Sequence, residues 1–272
     1  MKSLFLVDLP GGYSISYEEL LDRLRQQKGC DVILRAKRLL PFYQHLILAM
    51  INDLQVYLVD EDFELPLALQ EKENTNVLIN KEKTTKAMEN WGTLQYSLLH
   101  SKATLSLFTS GTTAVPKQIN YPIGRLLRNI RIGSKYAAGR WAFCYHPAHM
   151  AGLQVFLQAL LNHNLLVNYF GLDKPLILDL LERFRISHIS ATPTFYRLLF
   201  PTEHIFEKVQ GVSIGGERSS PKLHARLHEA FPNAKLYNLF ATTETGTLFA
   251  SDGDYFTIPE TIQSKVKFVN NE

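Results

Sequence analysis

Residues 107–117 read Leu-Phe-Thr-Ser-Gly-Thr-Thr-Ala-Val-Pro-Lys and bring together what a polyphosphate needs. Thr109, Ser110, Thr112 and Thr113 carry hydroxyls, and Gly111 lets the backbone approach a ligand closely. Free N–H groups add donors, and Lys117 supplies a full positive charge. Taken singly, a polar loop with an incidental lysine has the same appearance. The P-loop of nucleotide triphosphatases is excluded, because Pro116 precedes the lysine and Gln118 follows it, where that motif needs Gly and then Ser or Thr.

Two later segments suit a nucleotide. Residues 212–217, Val-Ser-Ile-Gly-Gly-Glu, run an apolar strand into Gly215, Gly216 and Glu217, where a flat ligand can lie against bare backbone. A tight strand-to-helix turn would read the same way. Residues 236–246 place Asn238, Phe240, Thr243 and Glu244 after another strand. Chemistry on ATP wants an aromatic face for adenine, a hydroxyl for the α-phosphate and a carboxylate for Mg²⁺. Between these segments and the first lies His-Pro-Ala-His-Met-Ala-Gly, residues 146–152. Its His149 stands at a strand's C-terminal end, where open parallel sheets bind ligands, although a lone histidine is more often structural.

The elements that must position these residues alternate. Strands are expected over 3–8, 32–34, 56–59, 103–108, 141–145, 165–169, 187–191, 212–214 and 235–237. Helices are expected over 16–28, 37–52, 88–99, 123–138, 153–161, 174–184 and 221–230. Ser16 and Glu19 form a capping box for the first of them. The acidic stretch 61–73 reads as a surface connection. On the helix expected over 123–138, Arg125, Arg128, Arg131 and Lys135 share one face, either an ordinary solvated face or an attraction for the phosphates of CoA or for a carrier protein. The alternation predicts an α/β fold of layered, mostly parallel sheets flanked by helices. Residues 1–100 form one α/β subdomain, and residues 101–272 form a nucleotide- and acyl-binding α/β subdomain.

Composition narrows the class. The 272 residues are 46% hydrophobic, enough for a sizeable core, and 29 basic against 26 acidic residues leave +3, too balanced for a nucleic-acid surface. Two cysteines exclude a disulfide framework and a cysteine-based zinc site. No apolar run reaches the roughly 18 residues of a membrane span, and no signal pattern opens the chain, so a cytoplasmic protein is expected.

The first segment resembles the phosphate loop of the adenylate-forming superfamily, which holds acyl- and aryl-CoA ligases, luciferases and peptide-synthetase adenylation domains, with Ala114 where that loop usually has Gly. Pro147, His149 and Gly152 resemble the family's Pro-x-x-His-x-x-Gly pattern with the proline one residue closer. Residues 240–244 resemble Tyr-Gly-x-Thr-Glu, with Phe240 for Tyr and Ala241 for Gly. The resemblance covers about residues 103–246, with the segments in the family's order.

It implies ATP-dependent activation of a small carboxylic acid as an acyl adenylate, then transfer to CoA. The alternatives are loading of an acyl carrier protein, or a non-catalytic module that holds a nucleotide or acyl ligand. By resemblance, Lys117, Thr243 and Glu244 are the catalytic residues, with Glu244 holding Mg²⁺. Thr109, Ser110, Gly111, Thr112, Thr113, Lys117, Gly215, Gly216, Glu217, Asn238, Phe240 and Thr243 bind ATP. His149 and Gly152 border the acyl pocket. The family's ribose-binding Asp, and the lysine of its C-terminal domain, have no counterpart in these residues. They are therefore expected on a continuation of the chain or on a separate polypeptide.

Overall fold

The computed structural model describes residues 3–61, 63–109, 117–242 and 246–251. Two compact units part between Leu172 and Asp173, whereas the sequence placed a boundary near residue 100.

In the first unit, strands β1 (Leu4–Asp8) and β2 (Tyr13–Ser16) form a hairpin whose turn needs the left-handed Gly12, at φ 70°. Ser16 then caps helix α1 (Tyr17–Gln26): its hydroxyl accepts from the Glu19 N–H, and the Glu19 carboxylate accepts from the Ser16 N–H. Strands β3 (Gly29–Asp31) and β4 (Ile33–Arg35) lead to helix α2 (Leu39–Ile51) and strand β5 (Gln55–Val59). Helix α3 (Leu67–Gln70), strand β6 (Asn76–Leu78) and helices α4 (Lys81–Ala87) and α5 (Trp91–Leu99) follow. Strands β7 (Thr104–Thr109) and β8 (Lys117–Pro122), helix α6 (Ile123–Leu127), strand β9 (Arg140–Phe143), helix α7 (Met150–Leu161) and strand β10 (Leu165–Asn168) complete it.

Strands β9, β10 and β1 pair in parallel, with β2 antiparallel to β1. A second sheet runs β4-β5-β7-β8, parallel except for β8. Strands β3 and β6 make a small antiparallel ribbon. Helices α2 and α7 are apolar on nearly every side, the pattern of a helix enclosed by its neighbours. Their contact is a stack of Tyr43 on Phe156, with ring centroids 3.6 Å apart and planes 1° from parallel.

The second unit alternates more simply. Helix α8 (Lys174–Arg183), strand β11 (His188–Ala191), helix α9 (Pro193–Leu199), strand β12 (Gly211–Gly215), helix α10 (Pro221–Ala230) and strands β13 (Lys235–Thr242) and β14 (Gly246–Ser251) follow in order. Each of the three helices opens on a side-chain cap, from Asp173, Thr192 and Ser220, with proline in its first turn. Strands β11, β12 and β13 are parallel, and β14 returns antiparallel to β13. The buried Tyr196 hydroxyl lies within hydrogen-bonding distance of the Ile189 and Ser213 carbonyls, tying α9 to two strands.

The α/β class with mostly parallel, helix-flanked sheets is as expected, but some elements differ. The long helix over 123–138 is absent: α6 ends at Leu127, and only a 3-10 turn at Ser134–Tyr136 follows. The Arg131 backbone is instead engaged by α7 side chains. Its N–H donates to Gln158 at 3.0 Å, and its carbonyl accepts from Gln158 and Asn162. Gly133 at φ 145° and Ala138 at φ 60° also depart from helical backbone. Arg125, Arg128, Arg131 and Lys135 therefore do not form one helical face. Stretch 61–73 is more than a surface connection, since Leu65 and, on α3, Leu69 are buried against Tyr57 and Val59.

Two outcomes test this core. Phe156→Ala should cost about 3–5 kcal/mol in urea unfolding, because a large side chain leaves a closely packed interior. Cys30 and Cys144 should resist alkylation until the chain unfolds. Both are buried, and burial first, then the Asp31 charge, pushes the Cys30 thiol up to about 12. Above the ordinary thiol pKa of about 8.5 the unfolded chain releases a proton that the native chain keeps, so stability should fall as pH rises from there.

Candidate functional site

In the first unit, β7 delivers the chain to Thr109, which pairs in register with Lys117 at the start of β8. The Thr/Ser/Gly-rich segment is thus the connection of an antiparallel hairpin rather than the entry to a helix. Ser110, Gly111, Thr112, Thr113 and Ala114 lie outside the described residues. The hairpin's register is fixed beside it, where the Ser106 hydroxyl is 2.8 Å from the Asn120 amide oxygen and 3.0 Å from the Gln55 amide nitrogen. Lys117 is exposed. It opens strand β8 directly, so its ammonium group stands at the start of a strand.

The turn after β9 carries the second group of residues. The His149 N–H donates to the His146 carbonyl at 3.1 Å, and the His149 carbonyl accepts from the Leu153 N–H as α7 begins. His149 occupies the helix N-cap position without making a side-chain cap. Its ring reaches Asp60, which directly follows β5, with Nε2 3.4 Å from a carboxylate oxygen. His146 Nδ1 lies 3.0 Å from Asp60 Oδ1, and the Ala148 N–H also approaches that nitrogen, at 3.3 Å. Burial holds the His146 pKa below the ordinary histidine value, outweighing the pull of Asp60 in the other direction. Gly152 belongs to the same construction. A Cβ there would stand 2.4 Å from the His146 carbonyl oxygen, so only glycine lets α7 lie this close to the turn.

In the second unit, β12 and β13 align Ile214 with Asn238 and Gly215 with Leu239. A Cβ on Gly215 would be 3.3 Å from the Leu239 carbonyl oxygen, so its bareness serves the strand contact. Gly216, at φ 84°, turns the chain out of the strand in a conformation that L side chains rarely adopt. Glu217 is engaged: one carboxylate oxygen accepts from the Thr194 hydroxyl at 2.6 Å and the Thr194 N–H at 3.2 Å, with Arg197 3.7 Å away. Asn238 and Phe240 lie inside β13 rather than in a loop, with a register irregularity at Phe240 and Ala241 against β14. Bulges of this kind occur beside functional sites. Thr243 and Glu244 lie outside the described residues.

The sequence thus missed Asp60 and Thr194 and left His146 without a role. Asp60 had a signal, an acid directly after an apolar strand in a parallel pattern. Thr194 had none beyond its place in Thr-Pro-Thr.

The same fold occurs in solved structures of low identity. A double mutant of o-succinylbenzoate CoA synthetase (MenE) from Bacillus subtilis, bound to its product analogue OSB-NCoA, matches with a TM-score of 0.65 at 16% identity, over 97% of this chain and 60% of that one. The N-terminal subdomain of Klebsiella oxytoca NpsA, in complex with anthranilyl-AMSN, matches at 0.65 and 17%, over 94% and 74%. The N-terminal domain of FACL13 from Mycobacterium tuberculosis matches at 0.64 and 13%, over 92% and 74%. The chain therefore spans 60% of the length of the MenE synthetase. No curated protein matches it in sequence. The profile of the AMP-binding enzymes aligns with residues 48–267, a range that takes in the hairpin of Lys117, the His146–Gly152 turn and the strands of the second unit, and the chain belongs to that family.

Proposed function

We propose that this chain binds ATP and a small carboxylic acid and joins them as an acyl adenylate, with CoA as the thiol that finally takes the acyl group. The observation that carries the proposal is the family alignment over residues 48–267; by the resemblance of their segments, Lys117, Thr243 and Glu244 within it would handle phosphate and metal. Each unit, taken by itself, carries a feature that suits a nucleotide. Lys117 offers an exposed ammonium group, and Gly216 offers a backbone without a side chain at a positive φ.

Lys117, with Thr109, Ser110, Gly111, Thr112 and Thr113, would hold the β- and γ-phosphates. Thr243 would contact the α-phosphate, and Glu244 would hold Mg²⁺, which offsets phosphate charge when bound. Gly215, Gly216, Asn238 and Phe240 would frame adenine. Glu217 would act indirectly by fixing Thr194. His149 and Gly152 would border the acid, in a nucleotide- and acyl-binding part drawn from residues 101–272. The carboxylate oxygen forms a bond to the α-phosphorus, the bond from that phosphorus to the bridging oxygen breaks, and pyrophosphate leaves with the electron pair. The protein's contribution is positioning and charge stabilisation.

A non-catalytic binding module is the second reading, favoured by Ala114 and Ala241 at positions where the family's loops carry glycine. Acid-dependent release of pyrophosphate from ATP separates the two, assayed over a panel of aryl and acyl acids with and without an adenylate-forming C-terminal domain in trans. Release with at least one acid, followed by thioester formation on CoA, is the expected outcome. Binding of an acyl-sulfamoyl adenosine with no release under either condition would leave the binding module. Thioester formation only on a carrier protein would replace CoA as the acceptor.

Lys117→Ala should weaken ATP about 10-fold or more in calorimetric titration, since a hydrogen bond to a charged group is worth about 1.5–3 kcal/mol. The exposed side chain should leave the melting temperature nearly unchanged. Equal affinity in the variant would remove Lys117 from the phosphate site.

A further inference from the structure

Asp60, His146 and His149 each present one ligand atom, and these atoms lie within 4.8 Å of one another. We propose that they form a zinc-type divalent metal site separate from the Mg²⁺ handled with the nucleotide. The proposal does not rest on the adenylation reading.

Two of the three donor separations, those to Asp60, come close to what such an ion requires. Zinc bonds of about 2.0–2.2 Å place tetrahedral donors about 3.3–3.5 Å apart. Here Asp60 Oδ1 stands 3.0 Å from His146 Nδ1 and 3.4 Å from His149 Nε2. Two imidazoles with one carboxylate suit zinc and its first-row neighbours rather than Mg²⁺ or Ca²⁺, which prefer oxygen alone.

The backbone fixes much of this arrangement. The 3.1 Å turn hydrogen bond from His149 to His146 sets the two histidines on one turn, with ring centroids 4.8 Å apart. Gly152 admits α7 against that turn. Asp60 is placed from the other side by the end of β5.

A proton on His146 Nδ1 accounts for the 3.0 Å approach of Asp60 Oδ1, and a metal ion bound by both atoms would take that proton's place. The positive end of the α7 dipole opposes a cation here, and Asp60 with neighbouring Glu61 offsets it. Side-chain exposures of 60% for His149 and 50% for Asp60 leave an entry path and room for water at a fourth position, while His146, at 17%, anchors the inner edge.

The test uses the untagged 272-residue chain, stripped with chelator and equilibrated against Zn²⁺, with Co²⁺ as a spectroscopic stand-in. One equivalent of Zn²⁺ should bind, and Co²⁺ should develop visible ligand-field bands. His146→Ala, His149→Ala and Asp60→Asn should each weaken Zn²⁺ more than about 10-fold, since losing a ligand costs at least what losing an outer-shell partner does. His204→Ala, an exposed histidine elsewhere, should bind as the parent does. Should His146→Ala fail to fold, the exposed His149→Ala and Asp60→Asn decide the matter. Absence of stoichiometric binding, with the three side chains acting only as an ion pair, would overturn the proposal. Binding undiminished in those variants, or lost equally in His204→Ala, would overturn it too.

Discussion

The first unit depends on hiding α2. From Leu39 to Ile51 that helix has almost no polar face to turn to water, so strands and helices must close round it. It contacts α1, α4 and α5 as well as β3, β4 and β5, and its Tyr43 stacks on Phe156 of α7. Both candidate stretches of the unit hang from this packing. Strand β5 places Asp60, its parallel neighbour β7 leads to the Lys117 hairpin, and α7 begins at His149.

Where the sequence was legible, a single dominant pattern was at work. The apolar runs of β1, β5, β7 and β12 and the capped starts of α1 and α10 needed no tertiary information. Strands β2, β3, β6, β8 and β14 escape a reading of the sequence because their pairing, rather than an apolar run, defines them. The false helix over 123–138 had acceptable spacing. It fails because Gln158 and Asn162 satisfy the Arg131 backbone from outside, a contact between residues some thirty positions apart. Local preference lost to a tertiary partner that no window around Arg131 contains.

The site was legible in kind but only partly in role. His149 and Gly152 were singled out together, and they do share one turn. Gly152 proves to be a clearance that the turn cannot do without. Gly215 likewise answers to a neighbouring strand, whereas Gly216 answers to its own backbone angle. The sequence assigns Glu217 to ATP binding, and in the structure its carboxylate accepts from the Thr194 hydroxyl. For Gly215 and Glu217 the residue type was informative, but the partner, Leu239 or Thr194, lies far along the chain.

Strand β8 has a consequence of another sort. Among the described residues it is one of the two outer strands of the β4-β5-β7-β8 sheet, carrying Lys117, Gln118 and Asn120 and ending at Pro122. An outer strand invites edge-to-edge association with a second chain, and a lysine and a proline are common deterrents. The ammonium assigned to phosphate would thus also keep the protein from self-associating. The two duties separate by side-chain shape: arginine at position 117 would keep the deterrent charge while altering the fit to phosphate, whereas an apolar residue there would forfeit both.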